Sequence, residues 1–518
     1  MSEKEQIHTA APLPANSSAA QSHSPQSPVS SNDDIERPSA KPEEDQPPNG
    51  GYGWVCVACC FWINGSTWGI NSTYAVFLAY YLSHNYFPNT SALAYAFIGG
   101  LSISMAMLVA PLATKCTSTF GTKVTLHVGI FFETLSLIGA SFATEKYQLI
   151  LAQGACFGLG MGFLFVGSVG IIPQWFTTKR SIANAVAAAG SGCGGLIWSL
   201  STQAMIDNLG LPWAFRILGI LSFTINLICS NILRDRNAQV GARNKSLDWS
   251  LMKRPEFWLV QAWSWFSMLG YVTVLFSLPS YARQIGLSAQ QGSIIGAIFN
   301  LGQMLGRPCI GLASDRFGRI NLAAFLTALC GVFCLVFWIP AELVGSPMGL
   351  LTFFSVVGGA LAGTFWTTIA PVGAEVVGIR DLGSALSWTW LIMVPPVTCA
   401  EAIALEIRRF EAVDFVYVNA QVFCAVSYIA GGLVMWVLRG WKIGEVEEME
   451  RLKDREERQR AQQSSALKMQ HADEKGRTYN PGGAEGAMLA REVSAISARK
   501  KAWNLRDLLR RMMKVQIV

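Results

Sequence analysis

The chain has 518 residues, of which 51% are hydrophobic and only 14% charged. Soluble proteins average about 25% charged residues, so this composition argues against a soluble enzyme and for a chain that lies largely in a membrane. The formal net charge of +6 does not point to nucleic acid, because the basic residues sit between apolar runs and in the tail, where membrane topology accounts for them.

Residues 1–49 are rich in Ser, Pro, Ala and acids with no apolar period, and are expected to be a disordered cytosolic tail. No charged stretch followed by a short apolar run opens the chain, so no cleaved signal peptide is expected. From Gly53 onward twelve runs are long enough to span a bilayer: 54–81, 91–113, 121–143, 147–171, 181–206, 213–233, 256–279, 290–313, 320–340, 349–371, 383–406 and 414–438. The fold class expected is therefore an all-α integral membrane protein. The division is 50–233 and 256–438 for two six-helix bundles, 234–255 for a cytosolic linker and 439–518 for a charged cytosolic tail.

In the first span Asn64, Thr67, Asn71 and Tyr74 form a polar stripe, either lining a cavity or gluing helices together. The third span carries His127 and Glu133. The fourth and fifth are rich in glycine, from Gly154 to Gly195, which lets helices approach closely. The seventh offers Gln261, Ser264, Met268 and Tyr271, for packing or for function.

The eighth span is the most informative. Asn300, Gln303 and Arg307 share one helical face. An arginine at membrane depth is expensive and normally faces protein or a watery cavity. A guanidinium cannot lose its charge and grips a carboxylate bidentately, so Arg307 reads as an anion site, or else as a structural cation held by a backbone carbonyl or Glu401. Directly after it, Gly311-x-x-x-Asp315-Arg316-x-Gly318-Arg319 reads as a tight polar turn acting as a cytoplasmic gate. In the eleventh span Pro395-Pro396 is expected to bend the helix, and Glu401 is the candidate proton carrier, since burial favours a neutral carboxyl. At the far end Trp503, Leu505, Leu508, Leu509, Met512 and Met513 form an apolar stripe among basic residues, suited to an anionic lipid surface or a cytosolic partner.

Orientation follows from Lys and Arg. With both termini cytosolic, the inner loops hold thirteen of these residues and the outer loops four (Lys146, Arg283, Arg408, Arg409). The two halves also repeat: Phe-Gly with a basic residue just after it precedes both the third and the ninth span, at Phe120-Gly121-Thr122-Lys123 and Phe317-Gly318-Arg319. Paired halves with a site between them are what alternating-access transporters use. The twelve Cys lie mostly within apolar runs without disulfide or zinc spacing. No cofactor, metal, nucleophile–base set or phosphate loop is expected, so the chain does not read as an enzyme.

Gly311 to Arg319 resembles the loop signature of the major facilitator superfamily. Within it, Asn49-Gly50-Gly51-Tyr52-Gly53-Trp54 and the stretch Trp175-Phe176-Thr177-Thr178-Lys179-Arg180-Ser181 to Ser191 resemble signatures of the monocarboxylate transporter family. Gly378 to Leu386 is similar to its fungal branch. The resemblance covers residues 49–440. It implies two six-helix pseudo-repeats and movement of a small carboxylate, often with a proton. It also implies that Asp315 sits by the start of helix 11 near Gly383, with Arg316 and Arg319 meeting Glu375 or Asp381. Two departures stand out. Gln303 occupies the place of the family's helix 8 aspartate, and Asn71 that of its helix 1 lysine. The expected function is a secondary active or facilitated transporter of small organic anions. The alternative is a carrier or efflux pump for riboflavin or a larger aromatic metabolite, to which Trp366, Trp388 and Trp390 point, and a third reading is a transport-dead nutrient sensor. The expected substrate contacts are Arg307, Gln303, Asn300, Asn71, Asn64, Thr67, Tyr74 and Tyr271. The expected gate is Asp315, Arg316, Gly318, Arg319, Glu375 and Asp381. The expected location is the plasma membrane, or else the vacuolar membrane.

Overall fold

The computed structural model describes residues 48–84, 87, 92–242, 245–344, 347–409, 414–473, 503 and 505–514, and its regular elements are all helical. Twelve helical segments follow the expected spans. We number them α1 (Tyr52–Ser66, Trp68–Ser72 and Tyr74–His84), α2 (Ala92–Leu108 and Ala110–Phe120), α3 (Thr122–Ala140), α4 (Lys146–Trp175), α5 (Arg180–Leu209) and α6 (Leu211–Ile232). The second set is α7 (Pro255–Gln284), α8 (Ala289–Phe317), α9 (Arg319–Leu343), α10 (Pro347–Ala362 and Thr364–Val376), α11 (Leu382–Ile392 and Val394–Glu406) and α12 (Val418–Asp473). A short helix, α13 (Leu505–Met512), follows. Eight of these segments are long and apolar enough to cross a membrane by themselves, and bent α2 makes a ninth. α1, α5 and α8 fall short because breaks and polar or small residues dilute them, and α5 and α8 pack on each other across the two sets.

Within the first six, α5 and α6 pack on α1, and α4 and α6 on α3. Within the second six, α12 packs on α7 and α9, α10 on α8, and α11 on α7. α5 meets α8 and α10, and α2 meets α11, so these pairs join the two sets. Trp263, Trp338, Trp390 and Trp441 are fully buried, while Phe97, Leu135, Ile220 and Leu312 lie exposed on outward faces. Such residues suit lipid contact, where helices satisfy their own backbone bonds.

Several expectations need correcting. α8 stays helical through Phe317, so the stretch expected to be a gate is a helix end and not a tight polar turn. Only Gly318 turns, at φ 94°, a left-handed conformation that other L-residues adopt with strain. α2 runs on to Phe120, and α12 continues far past the expected 438 to Asp473. α11 breaks at Met393, just ahead of Pro395-Pro396. Most of the expected N-terminal tail lies outside the described residues, but Asn49 at its end is docked. Its Oδ1 accepts from the backbone N–H groups of Thr177 (2.6 Å) and Thr178 (3.0 Å). Those donors sit in the short connection before α5, where backbone N–H groups need an acceptor. An Asn supplies the acceptor oxygen there as an acid would. The two signature stretches thus pack on each other, Tyr52 against Trp175 and Trp54 against Phe176.

Candidate functional site

The polar face of α8 forms one connected cluster. Arg307 is 4% exposed. Its guanidinium donates to Gln303 Oε1 (2.7 Å) on its own helix and, across the interface, to Ala188 O (2.6 Å) and Ser191 Oγ (2.5 Å) of α5. Gln303 also accepts from Tyr271 Oη of α7 (3.0 Å) and donates to Asn300 Oδ1 (3.2 Å). Arg307 Nε finds no acceptor, and among the described residues no carboxylate lies within ion-pair distance of the guanidinium. Glu401, one expected counter-charge, instead accepts from Ser277 Oγ of α7 at 3.1 and 3.2 Å. Arg307 is therefore a buried cation held by neutral oxygens. Such a charge costs several kcal/mol to desolvate, and neutral acceptors repay it only in part.

The α1 stripe is occupied within the first half. Asn64 donates to Cys60 O and to Ala187 O of α5, Thr67 to Ile63 O, and Tyr74 to Tyr95 O of α2, while Asn71 Oδ1 accepts from Ser102 of α2. In this conformation Asn64, Asn71 and Tyr74 tie α1 to its neighbours, while Thr67 bonds within its own helix. Its neighbour Trp68, which the stripe pattern passes over, faces the second half: its ring centroid lies 5.3 Å from that of Trp366. Trp366 in turn stacks on Trp390 (6.1 Å) and meets Tyr271 (6.0 Å), and Phe165 of α4 closes on Trp390 (5.1 Å). Five rings from α1, α4, α7, α10 and α11 thus converge beside the Arg307 cluster. No sequence spacing links these rings, because they come from five separate segments. Trp388 does not belong to this group. Its indole donates to Asp248 O and packs on Trp249, fastening the 234–255 connection to α11.

Glu133 is buried at 1% exposure and accepts from Asn226 of α6, which in turn accepts from Ser66 of α1. His127 is half-buried, with its Nδ1 2.6 Å from Lys123 O on its own helix.

At the Gly311–Arg319 end of α8, Asp315 accepts with both carboxylate oxygens from the first backbone N–H groups of α5: Ser181 N to Oδ1 at 3.0 Å and Ile182 N to Oδ2 at 2.9 Å. This corrects the expected placement by α11 and Gly383. A long helix leaves its first N–H groups unpaired and carries partial positive charge there, so an anion is favoured. Arg319 then ties four groups together: Asp315 (3.2 Å), Ser181 Oγ (3.1 Å), Glu375 of α10 (2.7 Å) and Thr177 O across the interface (2.5 Å). Gly311 permits this approach, because a Cβ there would meet Ala185 Cβ, Ser181 O (2.8 Å) and Ile182 Cα (2.9 Å). Two expected gate residues stand apart. Asp381 pairs with Arg254 at 4.0 Å, and Arg316 is exposed, over the Phe317 ring. Arg319 reaches the nearer acid on α10 because the Gly318 turn directs it inward.

The family model described as Major Facilitator Superfamily matches residues 57–394. The chain belongs to the major facilitator superfamily. It is 32% identical over 401 residues to the Probable transporter MCH2 of Saccharomyces cerevisiae, covering 76% of this chain and 84% of that one. It is 26% identical over 433 residues to the Fujikurins efflux protein of Gibberella fujikuroi, covering 82% and 91%. Among solved structures it is similar to the proton:xylose symporter XylE, with a TM-score of 0.61 at 13% identity over 74% of this chain and 95% of that one, a likeness of fold alone. These fungal relatives accord with the resemblance carried by the signature stretches. This superfamily member is an integral, multi-pass membrane transporter and not an enzyme.

Proposed function

We propose that this protein moves small organic anions by alternating access between two halves, 50–233 and 256–438, with Arg307 as the charge partner of the substrate. The observation that carries the reading is the buried guanidinium at the interface of the halves, held by neutral oxygens. An anion would supply the missing counter-charge, and charge-assisted bonds are about twice as strong as neutral ones. Gln303, Asn300 and Tyr271 would orient it. The same contacts across the interface make Arg307 responsive to the conformational cycle, since Ala188 and Ser191 lie on the opposite half.

A second reading has an observation of its own. The five-ring cluster beside Tyr271 suits a substrate with a flat aromatic body, and one of the relatives is named as an efflux protein. Coupling to protons is weak in either reading, because Gln303 cannot carry one. Glu401, at hydrogen-bond distance from Ser277, is the remaining candidate carrier. A panel of labelled aliphatic carboxylates, aromatic carboxylates and uncharged flavins, offered at two external pH values to a transporter-null yeast strain, tests both readings. Uptake or export of carboxylates with little pH dependence is expected. Transport of the uncharged compounds alone would sink the anion reading.

The gate end is cytosolic by the excess of inner Lys and Arg. Tags at either terminus should resist external protease in intact cells expressing the protein at the plasma membrane. External cleavage of a tag inserted at residue 245 would refute the orientation.

A further inference from the structure

The C-terminal helix lies outside the transport machinery described so far. Its stripe of apolar and basic residues suggested a lipid or partner surface, yet in the structure part of that stripe is covered by the chain itself. Leu508 and Arg511 are 6% exposed. They pack where the membrane part of α12 gives way to its charged extension, and the Trp503 ring lies 6.3 Å from that of Trp441. Gly440 makes room: a Cβ there would meet Met512 Cγ at 2.7 Å and Leu508 O at 3.2 Å.

Charge fixes the docking at two points. Glu447 of α12 accepts from Arg511 Nε (3.0 Å) and Lys514 Nζ (2.5 Å). Arg439, 6% exposed, donates to Met512 O (3.1 Å) and Lys514 O (2.5 Å) at the end of α13, and to Asn321 of α9 (2.6 Å). A helix C-terminus leaves carbonyls unpaired and attracts a cation, so the arginine and the helix end suit each other. Between Arg439 and Glu447 in α12 stands Lys442. Its ammonium donates to Glu375 O (2.8 Å) and pairs with Glu445 (2.8 Å). Glu375 is the acid that holds Arg319 in the gate.

We propose that α13 is an intramolecular latch on the gate. Docked on α12, it keeps Lys442 against the end of α10, and so keeps Glu375 where it holds Arg319 across the interface to Thr177. The latch is built to release. An eight-residue helix is marginal in water by itself, so α13 is helical only while docked. Leu509 and Met513, 58% and 86% exposed, add nothing to the docked face. Release loosens the brace on Glu375 and shifts the gate toward opening.

The amides of Ser181 and Ile182 report the gate directly, because Asp315 accepts from them only when it is closed. Hydrogen–deuterium exchange on the purified full-length protein should therefore be compared with a variant ending at residue 498 and with Glu447→Lys. Exchange over 180–184 should rise about fivefold or more in both, while α3 exchanges as in the wild type. Adding Arg511→Glu to Glu447→Lys should restore slow exchange, which a general loosening would not do. The proposal rests on the gate reading of Asp315 and Arg319, so Asp315→Asn serves as the reference. Fast exchange in Asp315→Asn together with wild-type exchange over 180–184 in the truncated protein overturns the latch alone. Unchanged exchange in Asp315→Asn overturns the gate reading instead. If the truncated protein proves loosened throughout, with α3 exchanging fast as well, the charge-swap pair decides, and failure of the rescue overturns the latch.

Discussion

Arg307→Gln is expected to abolish concentrative transport of the anion and yet leave the empty protein at least as resistant to heat as the wild type. The two halves of this expectation have one cause. Arg307 is buried with neutral partners only, so its charge is uncompensated in the empty protein. Removing one partner of a buried charge pair costs on the order of 2–5 kcal/mol, about 30-fold or more in affinity. Removing an uncompensated buried charge from the empty state costs little or is favourable. Arg307→Lys keeps the charge but loses the planar fork that reaches Gln303, Ala188 and Ser191 together, so it should transport poorly as well. Surface-matched uptake and thermal unfolding of both variants check this. If Arg307 were a structural cation, Arg307→Gln would express poorly and melt early, and Arg307→Lys would be tolerated.

Asp315→Asn is expected to reach the membrane in normal amounts and to transport about tenfold more slowly. An amide offers one acceptor oxygen where the carboxylate offers two, so either Ser181 N or Ile182 N loses its partner, and Arg319 loses a charge. Hydrogen bonds to charged groups contribute about 1.5–3 kcal/mol, and about 1.4 kcal/mol is a factor of ten. On the proposed gate role, in which Asp315 and α5 part on opening, that loss falls on the closed state alone. Initial rates at saturating substrate measure it. Wild-type rates at equal expression would remove Asp315 from the gate.

The spans and the α8 stripe were legible because they are local. A helix of fixed period shows which residues share a face, and a charge in an apolar run shows up in any window. Hence Asn300, Gln303 and Arg307 could be read together, and the structure joins them in one cluster. What α8 would touch was not legible. The partner of Asp315 is a helix N-terminus, made of backbone groups that every sequence has, so no side chain advertised Ser181 and Ile182. The α1 stripe left two readings open for a related reason: Asn64, Asn71 and Tyr74 are as useful for holding α2 and α5 as for lining a cavity. Trp388 and Trp390 are two residues apart and look alike in sequence. Yet one fastens the interhelix connection and the other joins the aromatic cluster. The docking of α13 depends on Gly440, Arg439 and Glu447, more than sixty residues away in sequence, and amphipathic pattern alone cannot tell a protein surface from a lipid one.

The most direct measurement is of labelled-anion exchange by purified protein in proteoliposomes, wild type beside Arg307→Gln, with anion inside and out so that no coupling ion is needed. Exchange by the wild type and none above protein-free vesicles by Arg307→Gln, at equal reconstitution and equal melting temperature, is the result this account predicts. Equal exchange by the two proteins would contradict it.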